Sequence, residues 1–181
     1  MWFDGQAEQF DDCAGLDPPA GRAIARAVVG LSGCAAGDVL LDVGTGTGAV
    51  GVYFADLPLR YLGLDRSRPM LEVFRRKLGA APPHLLLVQA DSDRQWPVRD
   101  GAVAVVFASR VVHQLDAEHF LREVRRVGRR GGLLLLGRVE RPPDSLPSQL
   151  QRRKRDLLAE HGVRTRPGRK AVRQMVERCQ E

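Results

Sequence analysis

One stretch constrains the fold more than any other. A short apolar run, Val39-Leu40-Leu41, ends in Asp42-Val43, and glycines then fall at every second position, Gly44, Gly46 and Gly48. Val50, Phe54 and Leu57 follow at helical spacing until Pro58, so the stretch reads as strand, glycine turn, helix. Such a turn brings bare backbone against a ligand, because glycine allows both positive φ and close approach. The spacing alone does not name the ligand. Gly46-x-Gly48-x-x-Gly51 also satisfies the dinucleotide fingerprint, and Asp65 lies 19 residues beyond Gly46, where that fingerprint wants a ribose-binding acid. Asp42 separates the readings: a carboxylate on the strand would oppose a pyrophosphate but suits a cation, met directly or through water.

The rest of the chain repeats the strand and helix alternation. Asp17-Pro18 reads as an N-cap with proline at the first helical position, and Ile24, Val28 and Leu31 give that helix an apolar face. Residues 60–65 form a second strand ending in Asp65, where a carboxylate can accept both hydroxyls of a ribose. Pro69 starts the next helix and Gly79 closes it. Residues 84–90 form a third strand that runs into Asp91-Ser92-Asp93, and residues 103–109, nearly all apolar, form a buried fourth. Asp116 caps a helix using Phe120, Val124 and Val127, which Gly128 to Gly132 end before a fifth strand at residues 133–136. Four helices alternating with five strands predict an α/β fold, a doubly wound, Rossmann-like, mostly parallel sheet with helices on both faces and ligands at the carboxyl ends of the strands.

These residues resemble class I methyltransferases that bind S-adenosylmethionine, in the style of the ubiquinone and menaquinone biosynthesis enzymes. The resemblance rests on the glycine turn with Asp42, on Asp65-Arg66-Ser67-Arg68-Pro69-Met70-Leu71, on Ala90-Asp91 followed by Trp96-Pro97 and Asp100-Gly101, and on Ser109 to Leu115. It implies methionine contacts from Gly44, Gly46 and Gly48, ribose contacts from Asp65, adenine contacts from Asp91 and Ser92, and contacts to the amino-acid part of the cofactor from Ser109 and Arg110. Arg66 and Met70 join the same cofactor set, although Met70 at helical spacing serves equally as core filler. Asp91 has a second local role open to it, capping a turn. Val103-Ala104 departs from the family's usual Phe-Asp, and Gln114 replaces the second histidine of its His-His-Leu ending. The opening Phe3-Asp4-x-x-Ala7-x-x-Phe10-Asp11 resembles the family's active-site lid, with packing on the following helix as the alternative.

Methyl transfer from a sulfonium needs alignment more than acid or base groups. An acceptor hydroxyl or carbon acid would still need its proton removed, and His113, at the carboxyl end of strand four, is the candidate base; the competing role is to shape the pocket or cap the next helix. The expected reaction is methyl transfer to a small-molecule acceptor, with S-adenosylhomocysteine as product. The charge is uneven, net −4 over residues 1–121 and +10 over residues 122–181. That asymmetry keeps open an RNA methyltransferase, not favoured because no Asn-Pro-Pro-Tyr type motif follows strand four. A non-catalytic, cofactor-binding regulatory or assembly subunit is the third reading. Cys13, Cys34 and Cys179 have no metal-type spacing, so no metal is expected. No signal peptide or membrane-length apolar run is visible, which points to the cytoplasm without membrane association. The expected domains are a methyltransferase core at residues 1–140, with lid and first helix in 1–35, and a basic helical segment at 141–181. That segment has a helix through Leu146, Leu150, Leu157 and Leu158 and another from Gly168. No sixth or seventh strand is visible, and the family's C-terminal antiparallel hairpin is therefore expected to be missing and the chain to be incomplete.

Overall fold

Five parallel strands order the molecule: β1 (Val39–Val43), β2 (Arg60–Asp65), β3 (Leu85–Gln89), β4 (Val103–Ser109) and β5 (Gly128–Gly137) lie side by side as β3-β2-β1-β4-β5. This order reverses direction at β1, and the crevice between the carboxyl ends of β1 and β4 is the switch point where such sheets bind ligands. The computed structural model describes residues 4–14, 16–80, 82–138 and 142–162. Residues 1–137 form one compact unit, and residues 138–181 a second. The helix expected from Gly168 lies outside the described residues.

Alternate residues of a strand face opposite sides of a sheet, and in β4 residues 103–108 are all buried, so both faces are covered. One cover layer consists of α2 (Pro18–Ser32) and α3 (Arg68–Leu78), whose Ala25, Val28, Leu71 and Phe74 pack with Leu40, Tyr61, Leu87 and Phe107. Asp17 caps α2 by accepting from the Ala20 N–H at 2.8 Å. The buried face of α2 is Gly21, Ala25 and Val28, with Ile24 half-buried against the same core; of the expected Ile24, Val28 and Leu31 only Leu31 is exposed. Gly21 sets the centre of that face. A Cβ there would lie 2.6 Å from the Tyr53 ring and 2.7 Å from the Ala49 carbonyl, so the helix approaches along its glycine.

Two further expectations are corrected. The helix after the glycine turn is only a 3-10 turn, Gly51–Phe54. Gly48, Gly51 and Pro58 leave too few residues between them to repay the cost of starting an α-helix. The fifth strand begins at Gly128, directly after α4 (Ala117–Val127), and a register shift between Val103 and Val105 absorbs the extra residues. The N-terminal segment forms a 3-10 turn, Asp4–Gln9, and α1 (Phe10–Ala14), with Ala7 buried against Met70 and Val73. In the second unit, α5 (Leu146–Glu160) covers the predicted helix, and Leu146, Leu150 and Leu157 are exposed on it. Among the described residues no helix is long and apolar enough to cross a membrane.

Candidate active site

The glycine turn leaves β1 with Gly44, Gly46 and Gly48 all at positive φ, 73°, 57° and 74°. Gly44 and Gly48 are compelled by packing as well. A Cβ at Gly44 would meet Val111 at 2.5 Å, and one at Gly48 would enter the Phe74 ring at 2.3 Å. A Cβ at Gly46 would find only the Gly44 carbonyl, 4.0 Å away, so this glycine presents open backbone to the crevice. The N–H groups of Gly44 and Thr45 both donate to Leu64 O, and that of Gly48 to Thr45 O.

Under the turn lies a buried polar group. Tyr61 donates its hydroxyl to Asp42 Oδ2 at 2.6 Å, and Thr45 Oγ1 lies 2.6 Å from the Tyr61 oxygen. Burial pushes the Asp42 carboxyl up to about 6, against hydrogen bonds from Tyr61 and Thr45 that pull it down. The same burial, with Asp42 beside it, holds the Tyr61 hydroxyl well above its usual range. Asp65, at the end of β2, accepts from Gly46 N and Ser67 N, each at 2.8 Å. A carboxylate has about four lone-pair positions, so Asp65 keeps capacity toward the crevice. Desolvation raises its pKa even against those backbone bonds.

A crevice with about 1030 Å³ of empty space, counted to its open mouth, is walled by almost every residue the sequence singled out: Asp42, Gly44, Gly46, Asp65, Arg66, Met70, Asp91, Ser92, Ser109 and Arg110. Gly48 stands in the turn without lining the wall. Met70 is both things the sequence allowed, buried with Ala7 and part of the wall. Asp91 likewise lines the crevice while its Oδ1 accepts from Asp93 N at 3.1 Å, capping its own turn.

His113, like Gly48, stands off the wall. Val112–Gln114 is a 3-10 helix, in which successive side chains point about 120° apart. Val112 is buried, Gln114 lines the crevice, and His113 is exposed and off the wall, its Nε2 3.5 Å from the Gln114 amide nitrogen. Among the described crevice residues there is no histidine. The wall also includes Phe10, Thr45, Thr47, Asp93, Phe107 and Gln114, which sequence reasoning gave no ligand role or, for Phe10, only a place in the lid. The N-terminal segment is tied to the turn: Thr47 donates to Asp11 at 2.5 Å, and Lys77 pairs with Asp11 and donates to Thr47 O at 2.9 Å. Arg110 is the one non-glycine residue at positive φ among those described, 61°. Burial lowers the pKa of its guanidinium, with Asp11 acting in the opposite sense.

The donor set tests which ligand fits. Four carboxylates, Asp42, Asp65, Asp91 and Asp93, face two guanidinium groups, Arg66 and Arg110, and three N–H groups of the turn are spent on carbonyls within the chain. This surrounding repels a pyrophosphate and suits a ligand with a sulfonium, an ammonium, a ribose and an adenine. Among the described residues no cluster able to hold a metal is present.

The comparisons agree. Residues 41–136 match the family described as methyltransferase domain. The chain is 32% identical over 134 residues to the malonyl-[acyl-carrier protein] O-methyltransferase of Serratia marcescens, a match spanning 74% of this chain and 49% of the relative, about half its length. A protein of Methanococcus maripaludis described as an S-adenosyl-L-methionine-dependent methyltransferase shares the fold, with a TM-score of 0.72 at 20% identity over 97% of this chain and 84% of that one. The glycopeptide N-methyltransferase MtfA, solved with S-adenosyl-L-methionine, matches at 28% identity and a TM-score of 0.56, over 64% of this chain and 53% of its own. The chain belongs to the methyltransferase domain family and carries the fold of the class I S-adenosylmethionine-dependent methyltransferases.

Proposed function

We propose that this chain transfers the methyl group of S-adenosylmethionine to a small-molecule acceptor, with residues 1–140 as the catalytic core and residues 141–181 as a separate basic segment. The acid-rich crevice around a glycine turn carries this reading. The cofactor supplies an electrophilic methyl on a sulfonium whose leaving group is a neutral thioether. The residues supply position. Asp65, braced by Gly46 N and Ser67 N, takes the ribose hydroxyls; Asp91 and Ser92 take the adenine; the bare backbone at Gly46 admits the methionine part; Ser109 and Arg110 close the opposite side. Asp42 places negative potential beneath the turn, and Phe10 covers the crevice from the lid. Holding the acceptor in line is worth several kcal/mol of barrier without a strong base. The Serratia relative is named a malonyl-[acyl-carrier protein] O-methyltransferase, so small carboxylic acids, free and carrier-bound, head the acceptor panel.

Calorimetry decides the first half: S-adenosylhomocysteine should bind and NAD should not, and the reverse would defeat the proposal. Methyl transfer to one member of the panel decides the second half, and none at all would leave a binding subunit. One observation favours a second reading: Arg152, Arg153, Lys154 and Arg155 are all exposed on α5. RNA binding that weakens steeply with salt would support RNA as the acceptor.

A further inference from the structure

The loop carrying Asp91, Ser92 and Asp93 leaves the sheet after β3 and returns only at β4, with no helix of its own to shape it. It is held from α4, a helix none of whose residues lines the crevice. Arg126 spends its whole guanidinium there. Its Nε donates to Glu123 Oε1 at 2.8 Å; Nη1 donates to Val98 O at 2.8 Å and Asp100 Oδ1 at 2.6 Å; Nη2 donates to Trp96 O at 3.0 Å and Glu123 Oε2 at 2.5 Å. Five contacts match the five N–H donors of arginine in its fixed fork, and no other side chain can make this set.

Glu123 completes the clamp. It is buried, and its Oε2 accepts the Trp96 backbone N–H at 2.7 Å. Trp96, 1% exposed, packs edge-on against Phe120 of α4, and its indole N–H donates to Ser92 O at 3.0 Å. A continuous chain of bonds therefore runs from Arg126 through Glu123 and Trp96 to Ser92, whose neighbour Asp91 faces the crevice. The guanidinium beside Glu123 holds that carboxyl below its usual range, so the pair stays charged at neutral pH.

We infer that Arg126 and Glu123 are positioning residues for the cofactor's base: by fixing Trp96 and the Ser92 backbone they hold Asp91 where it accepts the exocyclic amine of adenine, and so set the selectivity for adenine. The inference rests on the adenine role proposed above for Asp91 and Ser92. A loosened loop would still bury a purine ring but would lose the fixed acceptor that tells an amine from a carbonyl.

The test compares dissociation constants for S-adenosylhomocysteine and its hypoxanthine counterpart, S-inosylhomocysteine, which carries a carbonyl where adenine has the amine. The natural chain should prefer the adenine ligand by about tenfold or more, the worth of one hydrogen bond to a charged group. Asp91→Asn should erase that preference. Arg126→Gln should reduce it at least about fivefold while the hypoxanthine ligand binds within about twofold of the natural value, and Arg126→Lys should fall between. Should Arg126→Gln fail to fold, Glu123→Gln keeps an acceptor for the Trp96 N–H and carries the test. Equal weakening of both ligands, with the preference intact, would show that Arg126 supports only the fold and would overturn the inference. A natural chain without preference, or one untouched by Asp91→Asn, would sink the adenine assignment itself and the inference with it.

Discussion

The two walls of the crevice are built differently. One comes from the ends of β1 and β2, where Asp42, Thr45 and Tyr61 are buried, Asp65 is braced by two backbone N–H groups, and the turn is fixed by glycines. The other is the segment after β4, residues 109–115, where Arg110 holds a left-handed backbone, a 3-10 turn follows and His113 faces solvent. The first wall is buried, glycine-fixed and internally hydrogen-bonded, and the second is irregular backbone of the kind on which specificity can change. The comparison breaks most easily at the turn. Gly48→Ala should cost about 3 kcal/mol, combining left-handed strain with a methyl driven into Phe74. Gly46→Ala pays the strain alone, about 1 kcal/mol, and should fold yet bind S-adenosylhomocysteine poorly, since its methyl fills the open side. Urea unfolding of both variants measures the difference, and equal costs would mean that the turn is not packed as described.

A smaller effect lies in the buried acid. The folded pKa of Asp42, about 6, stands above the ordinary 3.8, so the folded state holds a proton that the unfolded chain releases between those values. The contribution of Asp42 to stability is therefore fully present below pH 3.8 and lost as pH rises through about 6, a swing of about 3 kcal/mol at most. Asp42→Asn should remove that slope and stabilise the ligand-free chain at pH 8 while leaving it nearly unchanged near pH 4. Binding of a cationic ligand favours the ionised acid, so S-adenosylmethionine affinity should fall as pH drops below about 6 and proton release should accompany binding there. Calorimetry in buffers of different ionisation enthalpy reads that proton, and its absence would place Asp42 out of reach of the ligand's charge.

How much of this was legible in the sequence follows the same division. The strands, the glycine turn and the acids at strand ends were readable because each depends on local spacing: Asp65 and Asp91 could be placed once the strands were. The part of Gly21 and Ala25 in the buried face of α2 was not, because Gly21 lies against Tyr53 and Ala49, partners that no periodicity reveals. Nor was the choice between His113 and Gln114. A single residue of offset in a 3-10 turn decides which side chain meets the crevice, and a strand followed by an irregular segment does not announce that offset. Asp93 carried no role beside Asp91 in the sequence, yet a tight turn brings both to the wall.

The strain at Arg110 sharpens the comparison at about 1 kcal/mol. Alanine normally stabilises a chain relative to glycine, but at φ 61° the order should reverse, with Arg110→Gly more stable than Arg110→Ala by about 1 kcal/mol. Both should lose turnover, since both delete the guanidinium from the crevice. A backbone that no longer needs to hold the strain, together with an activity that needs the side chain, is the pattern of strain kept for function. If Arg110→Ala proves the more stable of the two, the left-handed geometry is absent in solution.

The smallest effect separates two neighbours on the second wall. Gln114 lines the crevice and His113 does not, so with whichever acceptor turns over, His113→Ala should leave kcat/KM within about twofold, and Gln114→Ala should lower it several-fold by removing an amide that donates and accepts beside the acceptor. Neither should move stability by more than about 0.5 kcal/mol, the usual range for surface changes. The pH profile makes the distinction independent of magnitude. A histidine acting as base would give a rate that rises with pH and loses that limb in His113→Ala. With no histidine among the described wall residues, a limb near pH 6 is expected from Asp42, and it should survive His113→Ala while vanishing in Asp42→Asn. A limb removed by the His113 change and kept by the Asp42 change would turn the 3-10 segment inward during catalysis and make the second wall a moving part of the site.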